Sequence, residues 1–168
     1  KEKKEVRKQI GMLFQGSALF DFANVEDNVR FPLEMFSDMT REEQNDRLNF
    51  CLKRLDIVNA NKLFPSEISG GVQKRVAIAR ALVNEPVIIL ADEATGNLDT
   101  RTSFEILTLM QRLHQDEQRT IIFVTHNPDL AHYSSRTIVI SDGRIKSDTY
   151  NNEIKLAHKV LETLPKEE

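Results

Sequence analysis

The chain has 168 residues, with 23 Lys and Arg against 26 Asp and Glu, a net charge of −3 and a sequence pI near 5.9. That length builds one core with room for a helical insertion rather than several independent domains, and the acidic balance speaks against a nucleic-acid surface that relies on excess positive charge. The longest aliphatic run, Val87–Ala91, is far short of the ~20 residues that span a bilayer, and the charged start KEKKEVRKQI lacks the apolar core of a signal peptide, which points to a cytosolic setting.

In chain order, Ile10–Phe14 reads as a short strand leading into a Gln15-Gly16-Ser17 turn. A short helix is expected around Val25–Phe31, and Phe20, Phe22, Phe31 and Phe36 are read as ordinary core in preference to a partner-binding apolar patch, because scattered aromatics usually pack inside. Thr40 with Glu43 forms a capping-box pattern, and Leu48, Cys51, Leu52 and Leu55 follow at the spacing of one helical face. Cys51 is the single cysteine, so an intrachain disulfide is excluded and a buried, reduced thiol is expected.

Pro65 breaks the next stretch, and Ser69 is a credible N-cap for a helix starting near Gly70. That helix carries Val72, Val76, Ala79 and Val83 on one face, with Gln73, Lys74, Arg75 and Arg80 as its polar and charged members. Beyond Pro86 strands and helices alternate: a buried strand at Val87–Ala91, a helix at Thr100–His114, a strand at Thr120–Thr125, a short helix at Pro128–Ser134, a strand at Thr137–Ser141, and an Asp142-Gly143 turn into Arg144–Lys146. A parallel sheet follows from that alternation. Ile154, Ala157, Val160, Leu161 and Leu164 predict a C-terminal amphipathic helix.

Two places carry chemistry. A Ser-Gly-Gly turn opening a helix, at 69–71, presents backbone N–H groups and the positive end of a helix dipole to an anion. The strand at 87–91 delivers Asp92 and Glu93 to its end, where adjacent residues point to opposite faces, so that one acid can hold Mg²⁺ through water while the other approaches an attacking water. An acidic pair after a strand is by itself usually a cap or turn; beside an anion-binding helix start it points to phosphate chemistry. His126 ends the next strand and can donate to a phosphate oxygen or hold a water in register. His114, His132 and His158 read as solvent-exposed or dipole-capping, and no His, Cys and carboxylate spacing suggests zinc.

Taken in order, FQGS at 14–17, ISGGVQKR at 68–75, VIILADEATGNLD at 87–99 and VTH at 124–126 resemble the Q-loop, signature, Walker B strand with D-loop, and switch-histidine loop of ATP-binding-cassette (ABC) ATPases, over about residues 5–147. The resemblance implies an α/β fold, a partial P-loop NTPase core with a parallel sheet and an inserted helical subdomain. Residues 21–83 would carry the signature, 84–147 the catalytic core and 148–168 a C-terminal helix. Asp92 would coordinate Mg²⁺, Glu93 would be the general base and His126 would stabilise the γ-phosphate. Gln15 would contact Mg²⁺ or the attacking water and link the site to a membrane partner. Ser69, Gly70 and Gly71, with Gln73 among the nucleotide-facing residues, would clasp the γ-phosphate of ATP held by the opposite subunit, and Asp99 would lie between subunits. Implied partners are a second ATPase subunit, expected to be a second copy of the same chain, and transmembrane permease subunits, with no nucleic acid; the implied location is cytoplasmic, peripheral on the inner membrane face.

Three departures stand against the pattern. No GxxxxGK[ST] loop occurs in the chain, and only fourteen residues precede Gln15, so an N-terminally truncated cassette is expected, inactive alone. Ala94 stands where proline is usual, removing a backbone restraint but no reacting group, and Val72 stands where glutamine is common. The subfamily signals divide: residues 11–21 and 68–82 resemble bacterial phospholipid-trafficking ATPases, whereas 91–107 and 124–145 look like lipoprotein-release and macrolide-efflux ATPases. Lipid, lipoprotein or lipophile transport is the implied role. Its rivals are a non-catalytic permease-docking module and a soluble ABC ATPase acting on nucleic acid or ribosomes.

Overall fold

The computed structural model describes residues 2–96 and 98–165; Lys1, Asn97 of the GNLD stretch and the last residues of the expected C-terminal helix lie outside them. The element order is α1 (Glu2–Lys8), β1 (Ile10–Leu13), α2 (Val25–Phe36), α3 (Arg41–Arg54), α4 (Gly70–Leu82), β2 (Ile88–Asp92), α5 (Thr100–Glu117), β3 (Thr120–Val124), β4 (Arg136–Ser141), β5 (Arg144–Tyr150) and α6 (Ala157–Thr163), with 3-10 turns at Pro65–Glu67 and Pro128–Tyr133.

Strands β1, β2 and β3 form one sheet in that order, all parallel, with Leu13 opposite Ala91 and Asp92 opposite Val124. The pairing explains the run of aliphatics at 88–91: the centre strand is flanked on both sides, and Ile89 and Ala91 are fully buried. Between β1 and β2 the chain makes the helical excursion α2–α4. Val29 and Leu33 of α2, Leu48, Cys51 and Leu52 of α3, Val76 and Ile78 of α4, Ile89 of β2, and Ile106 and Leu113 of α5 belong to one continuous buried cluster. Helix α4 is its hub, lying against β1 on one side and α2 and α3 on the other.

Several elements depart from the sequence expectations. Helix α2 does not stop before Pro32 but runs through it to Phe36. An interior proline costs ~3 kcal/mol; burying Val29 and Leu33, both at 0% exposure, returns ~1.5–3 kcal/mol each, and the Pro32 carbonyl is satisfied by Asn84 Nδ2 at 2.9 Å. Asn24 caps the start of α2, accepting from Asp27 N at 2.9 Å.

Of the four aromatics expected in the core, Phe22 and Phe31 are instead exposed and Phe20 and Phe36 are half-buried. Phe20 stacks on Phe22 (5.5 Å) and meets Phe31 edge-on (4.9 Å), yet Phe22 is 84% and Phe31 39% exposed. The cause is Asn28, a fully buried side chain that accepts from Phe20 N and donates to the carbonyls of Phe20, Ala23 and Asn24. It fastens the 20–24 loop to α2 with the rings outward.

The 136–150 segment also differs. β4 and β5 pair antiparallel around the Asp142-Gly143 turn, both residues with positive φ (51° and 72°), as a tight hairpin requires. The second strand reaches Tyr150, beyond the expected Lys146, and the hairpin is a separate sheet from β1–β3. Helix α6 is a shorter C-terminal helix than the sequence suggests, packed on α5.

Candidate functional site

The C-terminal ends of β1, β2 and β3 lie level because the strands are parallel and in register. Residues just past those ends are therefore neighbours, the usual position for a ligand site in an α/β sheet. Asp92 closes β2 and is exposed. Glu93 turns the chain with φ 48°, its N–H donating to Val124 O at 2.9 Å and its carbonyl accepting from Gly96 N at 2.8 Å. Asp92 is thus the last strand residue and Glu93 the first of a turn, rather than two successive residues of one pleat.

Because Asp92 pairs with Val124, His126 arrives beside Glu93. A single carboxylate oxygen, Glu93 Oε1, receives the His126 backbone N–H at 2.9 Å and contacts His126 Nδ1 at 2.6 Å. An ionised carboxylate only accepts, so Nδ1 carries the proton in this arrangement. The carboxylate is mostly enclosed (18% exposed) while the imidazole is 86% exposed. Gln15, two residues beyond β1, lies against Gly96: a Cβ placed on that glycine would sit 3.5 Å from Gln15 Cγ and 3.6 Å from Nε2.

The start of α4 is built separately. Ser69 is the N-cap, its Oγ accepting from Val72 N at 3.4 Å, while the N–H groups of Gly70 and Gly71 meet no acceptor among the described residues. Gly71 is required by the approach of α5, since a Cβ there would lie 3.0 Å from Thr102 Cγ2, and Gly70 faces Leu98. Gln73 does not face outward: its amide nitrogen donates back to the carbonyls of Pro65 (2.9 Å) and Ile68 (3.4 Å), bracing the loop before Ser69. Asp99 is the N-cap of α5, Oδ1 accepting from Thr102 N at 2.8 Å; hydrogen bonds from Thr102 hold its carboxyl below the usual range.

Two groups result. Gln15, Asp92, Glu93 and His126 assemble at the strand ends, and Ser69, Gly70 and Gly71 assemble with Leu98 and Thr102 at the start of α4. No hydrogen bond or ion pair among the described residues joins one group to the other.

The residues suit a magnesium nucleotide better than a metal held by protein alone. No cluster of three or more His, Cys, Asp or Glu occurs among the described residues, and Mg²⁺ is typically held by one or two carboxylates with substrate phosphates and water completing the shell. Asp92, exposed and without an ion pair among the described residues, is such a carboxylate.

Sequence reasoning missed one residue near the site. Lys74 is not a solvated member of α4 but is 6% exposed, donating to the carbonyls of Phe14 (3.2 Å) and Gln15. The available signal was the run VAIARAL after it: a helix apolar on nearly all sides is buried on nearly all sides.

Residues 1–96 match the family model described as ABC transporter. The chain is 40% identical over 146 residues to the macrolide export ATP-binding/permease protein MacB of Chlorobium luteolum, covering 87% of this chain and 22% of that protein. It is 41% identical over 145 residues to the ABC transporter ATP-binding protein YvrO of Bacillus subtilis, covering 86% of this chain and 62% of that one. Among solved structures it resembles the dimeric ATP-binding cassette MJ0796 in a post-hydrolysis state bound to ADP and Pi, with a TM-score of 0.76, 37% identity, and 88% and 65% of the two chains covered. The chain thus spans less than two thirds of the length of each of these relatives.

Proposed function

The chain belongs to the ABC transporter family, as an ATP-binding subunit, and from that premise we propose that its 168 residues act as one side of an ATP site shared between two subunits. The observation that carries the reading is the separation of the two groups. The strand-end acids and the Ser69–Gly71 helix start each suit a phosphate, and no hydrogen bond or ion pair among the described residues joins them. A second subunit facing the first would set the helix start of one against the nucleotide of the other, as the dimeric form of the similar cassette supports.

In that arrangement the Ser69 hydroxyl and the Gly70 and Gly71 N–H groups donate to the γ-phosphate of the neighbour's ATP, with the α4 dipole adding to the attraction. Asp92 and the Gln15 amide oxygen would hold Mg²⁺, which when bound neutralises charge on the phosphates. Glu93 Oε1 is taken up by His126, so Oε2 is the oxygen left to accept a proton from the attacking water; His126 fixes that carboxylate and presents an exposed ring toward the phosphate side. Gln73 and Asp99 contribute by bracing the Ser69 loop and capping α5.

The helical region 21–83 is the proposed contact with membrane permease subunits. At its edge the exposed Phe22 and Phe31 pack on the half-buried Phe20, and with Met35, 51% exposed, they form an apolar surface beside the Gln15 loop. No described helix is long and apolar enough to cross a membrane; the proposed place of the ATPase is peripheral on the cytoplasmic face, against such permease segments. A lipid or other lipophilic cargo is the reading supported by the two subfamily resemblances and by the macrolide-export relative.

The 168 residues contain no GxxxxGK[ST] loop, so their own half-site lacks the backbone cradle and lysine for phosphates. Accordingly this polypeptide alone is expected neither to bind ATP tightly nor to hydrolyse it. Magnesium-dependent phosphate release by the purified chain, abolished by Glu93→Gln, would overturn that expectation.

A further inference from the structure

Helix α4 holds the Gln15 loop by two cations whose partners are backbone carbonyls. Lys74 donates to the carbonyls of Phe14 and Gln15. Arg80, a turn and a half further along, donates to Ser17 O at 2.9 Å and Ala18 O at 2.7 Å, and its guanidinium lies 5.7 Å over the Phe20 ring. Neither side chain belongs to an ion pair among the described residues. Burial depresses the pKa of both, so each charge is held at a cost. Lys74 is buried and Arg80 half-buried, and a charge buried without an acid is uncommon unless the groups it faces need it.

Those groups do need it. Ser17 and Ala18 are consecutive non-glycine residues in the left-handed region, with φ of 62° and 47°, a conformation costing ~1–2 kcal/mol per residue. In it the loop turns its successive carbonyls toward α4, and Ser17 is 4% exposed. The loop's own contribution is a single turn bond, Ser17 N to Phe14 O at 3.0 Å. Without the two cations the strained turn has little to maintain it, whereas its neighbour Gly16 stands in open space.

We propose that Lys74 and Arg80 are positioning residues that join the Gln15 loop to helix α4, so that Gln15 and the Ser69–Gly71 helix start are placed as one rigid unit. The consequence rests on the ATP-site reading above: a displacement of α4 as its start engages a neighbour's phosphate is carried directly to Gln15, which lies against Gly96 just after the catalytic acids. Gln73, bracing 65–68 from the same helix, extends the unit to the loop before Ser69.

The test needs no nucleotide. In a Cys51→Ala background, spin labels are attached through Gly16→Cys, where added bulk meets nothing within 4 Å, and Ser66→Cys, an exposed position on the braced turn. The distance distribution between them is then measured by pulsed electron paramagnetic resonance. The expected result is a narrow distribution in the full chain, at least doubled in width by Lys74→Met and by Arg80→Met, and restored to the parental width by Lys74→Arg. Unchanged widths in both methionine variants, or a Lys74→Arg distribution as broad as that of Lys74→Met, overturn the proposal. Should Lys74→Met fail to fold, Arg80→Met decides alone: broadening supports the rigid unit and a parental width refutes it. A failed ATPase assay leaves these widths untouched, so the two readings fail separately.

Discussion

The helical region and the 120–150 segment use similar apolar content to opposite ends. In α2–α4, Val29, Leu33, Leu48 and Val76 are 0–1% exposed and share a core with β2 and α5. In the hairpin, Ile138, Ile140, Ile145 and Tyr150 are 45%, 68%, 67% and 73% exposed, and Ile122 and Val124 on β3 are 47% and 56% exposed. β3 pairs only with β2 among the described strands. The contrast is one of packing: the part that carries the signature is buried by its own residues, whereas on the sheet side the described residues leave apolar side chains and a strand edge uncovered.

Truncating each side is the strongest way to break that contrast. Leu33→Ala in the helical region should lower unfolding free energy by ~2–5 kcal/mol, whereas Ile140→Ala in the hairpin should change it by no more than ~0.5 kcal/mol; urea denaturation monitored by circular dichroism reads both. Comparable losses at the two sites would mean that the hairpin is packed in solution. Next in size is Gly11→Ala on β1, whose Cβ would lie 2.7 Å from the backbone oxygen of Ala81 on α4. That clash should cost ~1–3 kcal/mol, and a neutral result would show that the sheet and the helical region do not share a tight seam.

The smallest effect is electrostatic and belongs to the helical region alone. Hydrogen bonds from Lys62, then Arg30, hold the Glu26 carboxyl below its usual range, and Arg30 is itself 2% exposed with Glu26 Oε1 at 2.5 Å. A carboxylate with a depressed folded pKa stabilises above its unfolded pKa of ~4.3 and loses that contribution as pH falls through the folded value. Between pH 7 and pH 3 the parent should therefore lose ~1 kcal/mol more than Glu26→Gln. Equal acid sensitivity would remove Glu26 from the account.

What was legible in the sequence was local. The capping box is present with both bonds, Thr40 N to Glu43 Oε2 at 2.7 Å and Glu43 N to Thr40 Oγ1 at 3.3 Å, Ser69 caps α4, and β1–β3 are parallel. The strand-end acids and His126 could be paired only once the register was known, because their proximity depends on Asp92 lying opposite Val124. The remainder was tertiary. Nothing near Pro32 announces that buried valine and leucine will carry the helix through it. Nothing near Phe22 announces that Asn28 will turn the ring outward. Lys74 was legible only as a charged member of α4, because a helical wheel shows a polar position but not the loop that packs over it.

The shared site is tested most directly by complementation. The chain would be mixed with a complete cassette of the family whose own signature serine has been replaced, and magnesium-dependent ATP hydrolysis would be followed by phosphate release. The account predicts restored turnover that is lost with Ser69→Ala or Gly71→Asp in this chain and retained with Glu93→Gln, because here the helix start acts on the neighbour's nucleotide. Absence of rescue by a correctly folded chain, or rescue that depends on Glu93 and not on Ser69, would contradict it.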